Sequence, residues 1–144
     1  MSSKLSVAIH ILTVLALHKP ECGTSTSEFI AESVNTNPVV IRRLLGLLRE
    51  AGYVDSKKGV GGGWMLLVDP KQISLLDVLK AVEPDNEIFA LHRAEPNPEC
   101  PCGRHIQGVL VDLYADVQAG MTQQLARSTI GSVTDTILAR MQAD

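Results

Sequence analysis

Apolar and polar positions alternate along this chain in a way that predicts a short series of helices broken by one hairpin. Leu5 to Leu17 is an apolar run interrupted by Ser6, His10 and Thr13, and it reads as a buried first helix. Phe29, Ile30 and Val34 give a second, shorter helix its apolar face. Ser25 with Glu28 three residues on predicts a capping box at its start. Asn35-Thr36-Asn37 ends it, because these side chains compete for backbone hydrogen bonds. Pro38 suits the first position of a third helix, where its missing amide costs nothing. At about 100° per residue, Val40, Leu44, Leu47, Leu48 and Ala51 share one stripe of that helix. Arg42, Gly46 and Arg49 fall on the other side, flanked by Val39, Arg43 and Glu50.

Gly52 predicts a left-handed helix cap. Tyr53-Val54 and Trp64 to Val68 then read as two short strands, with Lys57 to Gly63 as the tip between them. Asp69-Pro70 turns the chain, and Ser74 with Asp77 opens a helix to about Val82. Leu75, Leu76, Val78, Leu79 and Val82 are its inward positions, and Glu83-Pro84-Asp85 closes it. Asn86 to Gly103 reads as a polar loop holding two clustered cysteines. From Arg104 to about Ala126, Ile106, Leu110, Leu113, Val117, Met121 and Leu125 recur at spacings of three and four. Some 22 residues make a helix roughly 33 Å long. A small domain covers only part of such an edge, so a second subunit is expected on the rest. A last helix from about Ser128, with Ile130, Val133, Ile137, Leu138 and Met141 on one face, is expected to brace the long one.

The predicted fold class is mainly α with a small β-hairpin. Residues 1–84 form a winged helix-turn-helix domain, 85–103 the cysteine loop, and 104–144 a helical dimerisation region with its long C-terminal helix. In a turn-linked helix pair, the N-terminal part of the second helix meets base edges in the major groove. Arg42 and Arg43 stand there, and Gly46 allows a close approach. Arginine can bond guanine O6 and N7 together. The glycine run is no nucleotide cradle, since no Gly-Lys-Ser/Thr ending and no helix start follow it. It reads as a wing, in which Lys57 and Lys58 make phosphate contacts and Trp64 packs the hairpin.

Composition changes the picture in two respects. Hydrophobic residues make up 45% of the 144 and aromatics only 3%, so aliphatic helix packing dominates the core. The net charge of −3 does not by itself suggest nucleic acid, but its distribution does. Arg42, Arg43, Arg49, Lys57 and Lys58 face only Glu50 and Asp55, while the chain beyond Val82 is acidic. A basic patch on an acidic body orients a protein on DNA and limits non-specific binding. No segment is long enough to span a membrane and none carries a leader cleavage site, so a cytoplasmic protein is expected. No catalytic constellation stands out, and no enzyme activity is expected. The competing reading is a winged-helix module that docks proteins instead of DNA.

The motifs LSVAIHIL, NPVVIRRLLGLLREAGYV, KKGVGGGWMLL, ISLLDVLKAVE and CPCGRHIQ together resemble the Rrf-two family of bacterial winged-helix regulators. That family includes an iron–sulfur cluster regulator, a nitric-oxide sensor and a cysteine-metabolism regulator. The resemblance covers nearly the whole chain and is strongest to the YwnA-like branch. It implies a homodimer on double-stranded DNA, usually a repressor, with a palindromic site and pairing through the long helix. The dimerisation residues are then Ile106, Leu110, Leu113, Val117 and Met121. The DNA-contact set is Thr36, Asn37, Val39, Val40, Arg42, Arg43, Arg49, Lys57, Lys58, Gly61 and Gly62.

The cysteines depart from the family pattern, in which cluster-binding members carry three, well spaced, in this loop. Here Cys100 and Cys102 stand alone in it, and Cys22 lies far upstream. No cofactor is expected, an iron–sulfur cluster least of all. Cys100, Cys102 and His105 are candidate sensor residues, and three readings stay open for them. They are loop residues with no sensing role; or Cys102, beside Arg104 and His105, is a reactive thiol pairing with Cys22 or a second subunit; or they bind zinc with His92. The effector is unknown.

Overall fold

The computed structural model describes residues 2–18, 24–85 and 89–144. Among them, six helices and one hairpin follow in the order α1 (Lys4–Leu17), α2 (Ser27–Val34), α3 (Pro38–Glu50), β1 (Val54–Lys57), β2 (Gly63–Leu66), α4 (Leu75–Val82), α5 (Pro101–Arg127) and α6 (Ile130–Ala143). A short 3-10 turn at Pro70–Gln72 precedes α4. No described helix is long and apolar enough to cross a membrane.

The chain separates into two units. The first comprises Met1–Pro84 with Ala126–Asp144, and the second Asp85–Leu125. In the first, α1 is the central element: Ala8, Ile11, Leu12, Val14 and Leu15 are buried, and α2, α3, α4 and α6 all pack on it. The core is completed by Ile30, Ile41, Leu44, Leu45, Leu48, Val54, Ile73, Val78 and Ile130. It is almost wholly aliphatic, as the scarcity of aromatic residues requires.

α6 belongs with this core. Its Ile130 is fully buried, and it lies against α1 and the 3-10 turn, where the sequence had placed it as a brace for the long helix. The reason is local. Ser74 and Thr129 each form a capping box, the two residues pair as an antiparallel bridge, and the amides of Leu75 and Ile130 bond the carbonyls of Ser128 and Ile73 at 2.9 Å. The starts of α4 and α6 are thereby tied side by side. Of the inward positions expected on α4, Val78 and Val82 are buried, while Leu75, Leu76 and Leu79 are half-buried.

Two further expectations are corrected. The α2 cap is Thr26, whose hydroxyl accepts from the Phe29 amide at 3.0 Å; Ser25 cannot serve, because its backbone is paired with Trp64. On α3, the buried stripe is Ile41, Leu44, Leu45 and Leu48, with Leu47 half-buried. Val40 and Ala51 are exposed, because the stripe that faces α1 and α4 is rotated by about one residue from the one read in the sequence.

Candidate nucleic-acid interface

The turn between α2 and α3 is built from three consecutive polar residues with separate tasks. Asn35 adopts the left-handed conformation at φ 63° and ends α2. The amides of Asn35 and Thr36 bond back to the carbonyls of Glu32 and Ala31 at 3.2 and 3.1 Å. Asn37 then caps α3, its side-chain oxygen accepting from the Val39 amide at 2.8 Å. α3 ends on the same pattern, with Gly52 N–H on Arg49 O and Tyr53 N–H on Leu48 O and with Gly52 at φ 87°. Both helices of the pair thus stop where the chain must reverse.

With Ile41, Leu44, Leu45 and Leu48 inward, the opposite face of α3 is open to solvent. Asn37, Val39, Val40, Arg42, Arg43 and Arg49 are all exposed there, and Thr36 is half-buried. Val40, read in the sequence both as a core position and as a contact, is not part of the core, being 38% exposed. Arg42 Nη1 reaches Glu28 Oε1 of α2 at 3.4 Å. That pair is exposed and worth at most about 1 kcal/mol, so it holds the guanidinium only weakly.

The wing is a two-stranded antiparallel hairpin in the register Val54 to Leu66 and Lys57 to Gly63. Its first strand starts one residue later than expected, at Val54, and runs on to Lys57, while the second starts one residue earlier, at Gly63, and ends at Leu66. Several contacts tie it to the body: Ser25 and Trp64 exchange backbone hydrogen bonds at 3.1 and 2.7 Å, Thr24 Oγ1 donates to Gly61 O at 2.7 Å, and the Arg49 guanidinium lies 5.3 Å from the centre of the Trp64 ring. Gly63 permits the first, since a β-carbon there would stand 2.6 Å from Ser25 O. Arg49 therefore ties α3 to the wing through a cation–π contact. Lys57, Lys58 and Gly61 are exposed on the wing and Gly62 is half-buried. Val60, fully exposed at the tip, was passed over in the sequence; an apolar residue amid glycines was the available signal.

In the second unit, α5 starts at Pro101, three residues before the expected Arg104, so Cys102 lies inside the first turn instead of ahead of it. The preceding loop is closed on itself. Asn97 accepts from the amides of Glu99 and Cys100, and Arg104 Nε donates to Pro98 O at 3.0 Å. Gly103 packs so close to the Asn97 carbonyl that no side chain fits. Phe89 stacks on Tyr114 with ring centres 5.0 Å apart. Cys100, Cys102 and His105 are exposed, and both thiols are free. Among the described residues no three His, Cys, Asp or Glu side chains come together to hold a metal ion. Cys22 lies outside the described residues. No residue of α5 is buried: Leu113, Val117 and Met121 are exposed, and Ile106, Leu110 and Leu125 are half-buried.

Comparison with known proteins agrees with this geometry. Residues 1–136 match the family Rrf2 (Rrf-two), described as iron-dependent transcriptional regulator. YwnA of Bacillus subtilis, named as a candidate HTH-type transcriptional regulator, is 44% identical over 92% of this chain and 96% of its own. Two solved structures share the fold. IscR of T. potens has a TM-score of 0.73 at 22% identity, over 95% of this chain and 87% of its own. CymR, the global cysteine regulator of B. subtilis, has a TM-score of 0.71 at 23% identity, over 94% and 96%. A winged helix-turn-helix with these matches along nearly its whole length belongs to the Rrf2 family of DNA-binding transcriptional regulators, and not to a family of enzymes.

Proposed function

We propose that the chain is a sequence-specific repressor that binds a palindromic operator as a homodimer in the cytoplasm. The observation that carries this reading is the solvent-facing set on α3, Val39, Val40, Arg42 and Arg43, next to a wing that presents Lys57 and Lys58. Arginines at the start of the second helix read base edges, and wing lysines neutralise phosphates. Gly61 and Gly62 let the wing backbone lie along the sugar–phosphate edge, and Val60 adds an apolar contact there.

The homodimer reading is supported by α5. A helix with Val109, Leu113, Val117 and Met121 exposed carries an apolar edge that water disfavours and a second copy would cover. Two-fold pairing places two α3 helices on half-sites separated by one or more DNA turns of roughly 34 Å.

Iron does not fit this chain's donor set. The family description names iron dependence, but the cysteine loop supplies two exposed thiols and no third ligand beside them among the described residues. We assign no resident cluster, and no step of the reading passes through a metal. Cys100, Cys102 and His105 stay as a candidate thiol sensor at the start of α5.

Selection of genomic fragments by the reduced protein, repeated after mild thiol oxidation, tests the proposal. Enrichment of a palindrome is the expected result, and loss of it on oxidation assigns the sensor role to the cysteines. No enrichment in either state overturns the reading in favour of a protein-docking module.

A further inference from the structure

The first turn of α3 offers no side chain that can hydrogen-bond a base. After the cap Asn37 come Pro38, Val39 and Val40, and the arginines Arg42 and Arg43 follow only in the second turn. Val39 is 53% exposed and Val40 38%. At about 100° per residue, Val39 lies nearly opposite the centre of the buried stripe of Ile41, Leu44, Leu45 and Leu48. Val40 stands at the edge of that stripe, one turn before Leu44. Packing within the chain therefore gives no reason for a valine at position 39, and helix propensity gives none either, since β-branched residues are among the poorer helix formers. The residue is nonetheless firmly placed. Its amide is held by Asn37 Oδ1 at 2.8 Å, and its branched side chain has few rotamers to lose on contact.

We propose that Val39 is a specificity-determining residue that reads a thymine of the operator by its 5-methyl group. The inference rests on the sequence-specific DNA binding proposed above and deepens it. Base edges in the major groove present hydrogen-bond donors, acceptors and one apolar group, the thymine methyl. The start of the second helix is the part that meets those edges. An apolar side chain placed there selects in two ways. Against thymine it buries methyl on methyl; against cytosine or guanine it strips water from a polar edge and returns no hydrogen bond. Arg42 and Arg43, one turn further on, supply the planar forks that suit guanine. The half-site then combines a thymine read by burial with a guanine read by hydrogen bonds.

Uracil pairs as thymine does and lacks only the 5-methyl group, so it isolates this contact. The operator selected from genomic fragments is rebuilt with deoxyuridine in place of each thymine in turn, symmetrically in both half-sites, and the affinity of the full chain is measured for each duplex. One symmetric position is expected at which uracil weakens binding, by about fourfold for each methyl removed. Val39→Ser removes both methyl groups of the side chain and should bind the thymine and uracil duplexes alike at that position. Val39→Thr keeps one methyl and the branched shape and should preserve the preference for thymine. A residue that merely shapes the helix start would change both affinities equally and leave their ratio untouched. Tolerance of uracil at every position, or a thymine-to-uracil ratio that Val39→Ser leaves at the parent value, overturns the proposal and leaves sequence-specific binding standing. Failure to select any operator overturns both.

Discussion

Arg42 and Lys58 are both exposed cations of the interface, yet they differ in what their loss should do. Arg42 stands at the start of α3 with its guanidinium beside Glu28, and under the proposed DNA binding a planar fork in that place would read a base. Arg42→Ala should cost about 1–3 kcal/mol of specific affinity and relax selectivity at one operator position. Lys58 lies on the wing, and Lys58→Ala should weaken all sequences alike and lower the salt slope by about one. Binding titrations on operator and scrambled duplexes at several salt concentrations separate the two. Tyr53 gives a prediction of another kind. Burial, helped by the nearby Asp77 carboxylate, holds its hydroxyl above the usual 10.0. The folded chain therefore keeps a proton that the unfolded chain releases near that pH. This contribution to stability is complete at neutral pH and is lost as the pH rises past 10 through the higher folded value. Thermal melts across the alkaline range should decline less steeply for Tyr53→Phe than for the parent.

At the scale of elements, backbone devices help to hold the helix-turn-helix and the wing in register. Gly52 is the joint between them. It sits at φ 87°, and a β-carbon there would meet nothing within 4 Å. The cost of Gly52→Ala is therefore the left-handed backbone alone, about 1–2 kcal/mol, and the midpoint of urea unfolding should fall accordingly. The rotation of the α3 stripe shows the limit of helical periodicity. Val40 and Ile41 are equally apolar neighbours, and periodicity alone does not choose between the stripes that start from each. The choice is made by α1 and α4, against which Ile41 and not Val40 is packed. Arg49 was placed in the sequence on the charged face of the helix and in the DNA-contact set; its position over Trp64 depends on where the hairpin folds back, which no local pattern states.

At the scale of the whole molecule, α5 leaves Leu113 at 53% and Val117 at 49% exposure. If this edge pairs two copies, Leu113→Asp with Val117→Asp should give a monomer in sedimentation and weaken operator binding sharply. Neither residue is buried within the single chain, so the helical circular-dichroism signal should stay that of the parent. A parent protein that sediments as a monomer at micromolar concentration, or a double variant that still pairs, would remove α5 from the interface.

Much of this protein is determined by sequence over short distances. The capping box of Ser74, the glycine stop at Gly52, the proline start at Pro38 and the glycine-rich hairpin tip depend on residues no more than a few positions apart, and their physics is local. The basic charges on α3 and the wing are legible for the same reason. What the tertiary structure decided involves partners far apart in sequence. Ser25 left its capping role because Trp64 claimed its backbone. α6 joined α1 because the starts of α4 and α6 are bonded to each other across some fifty residues of chain.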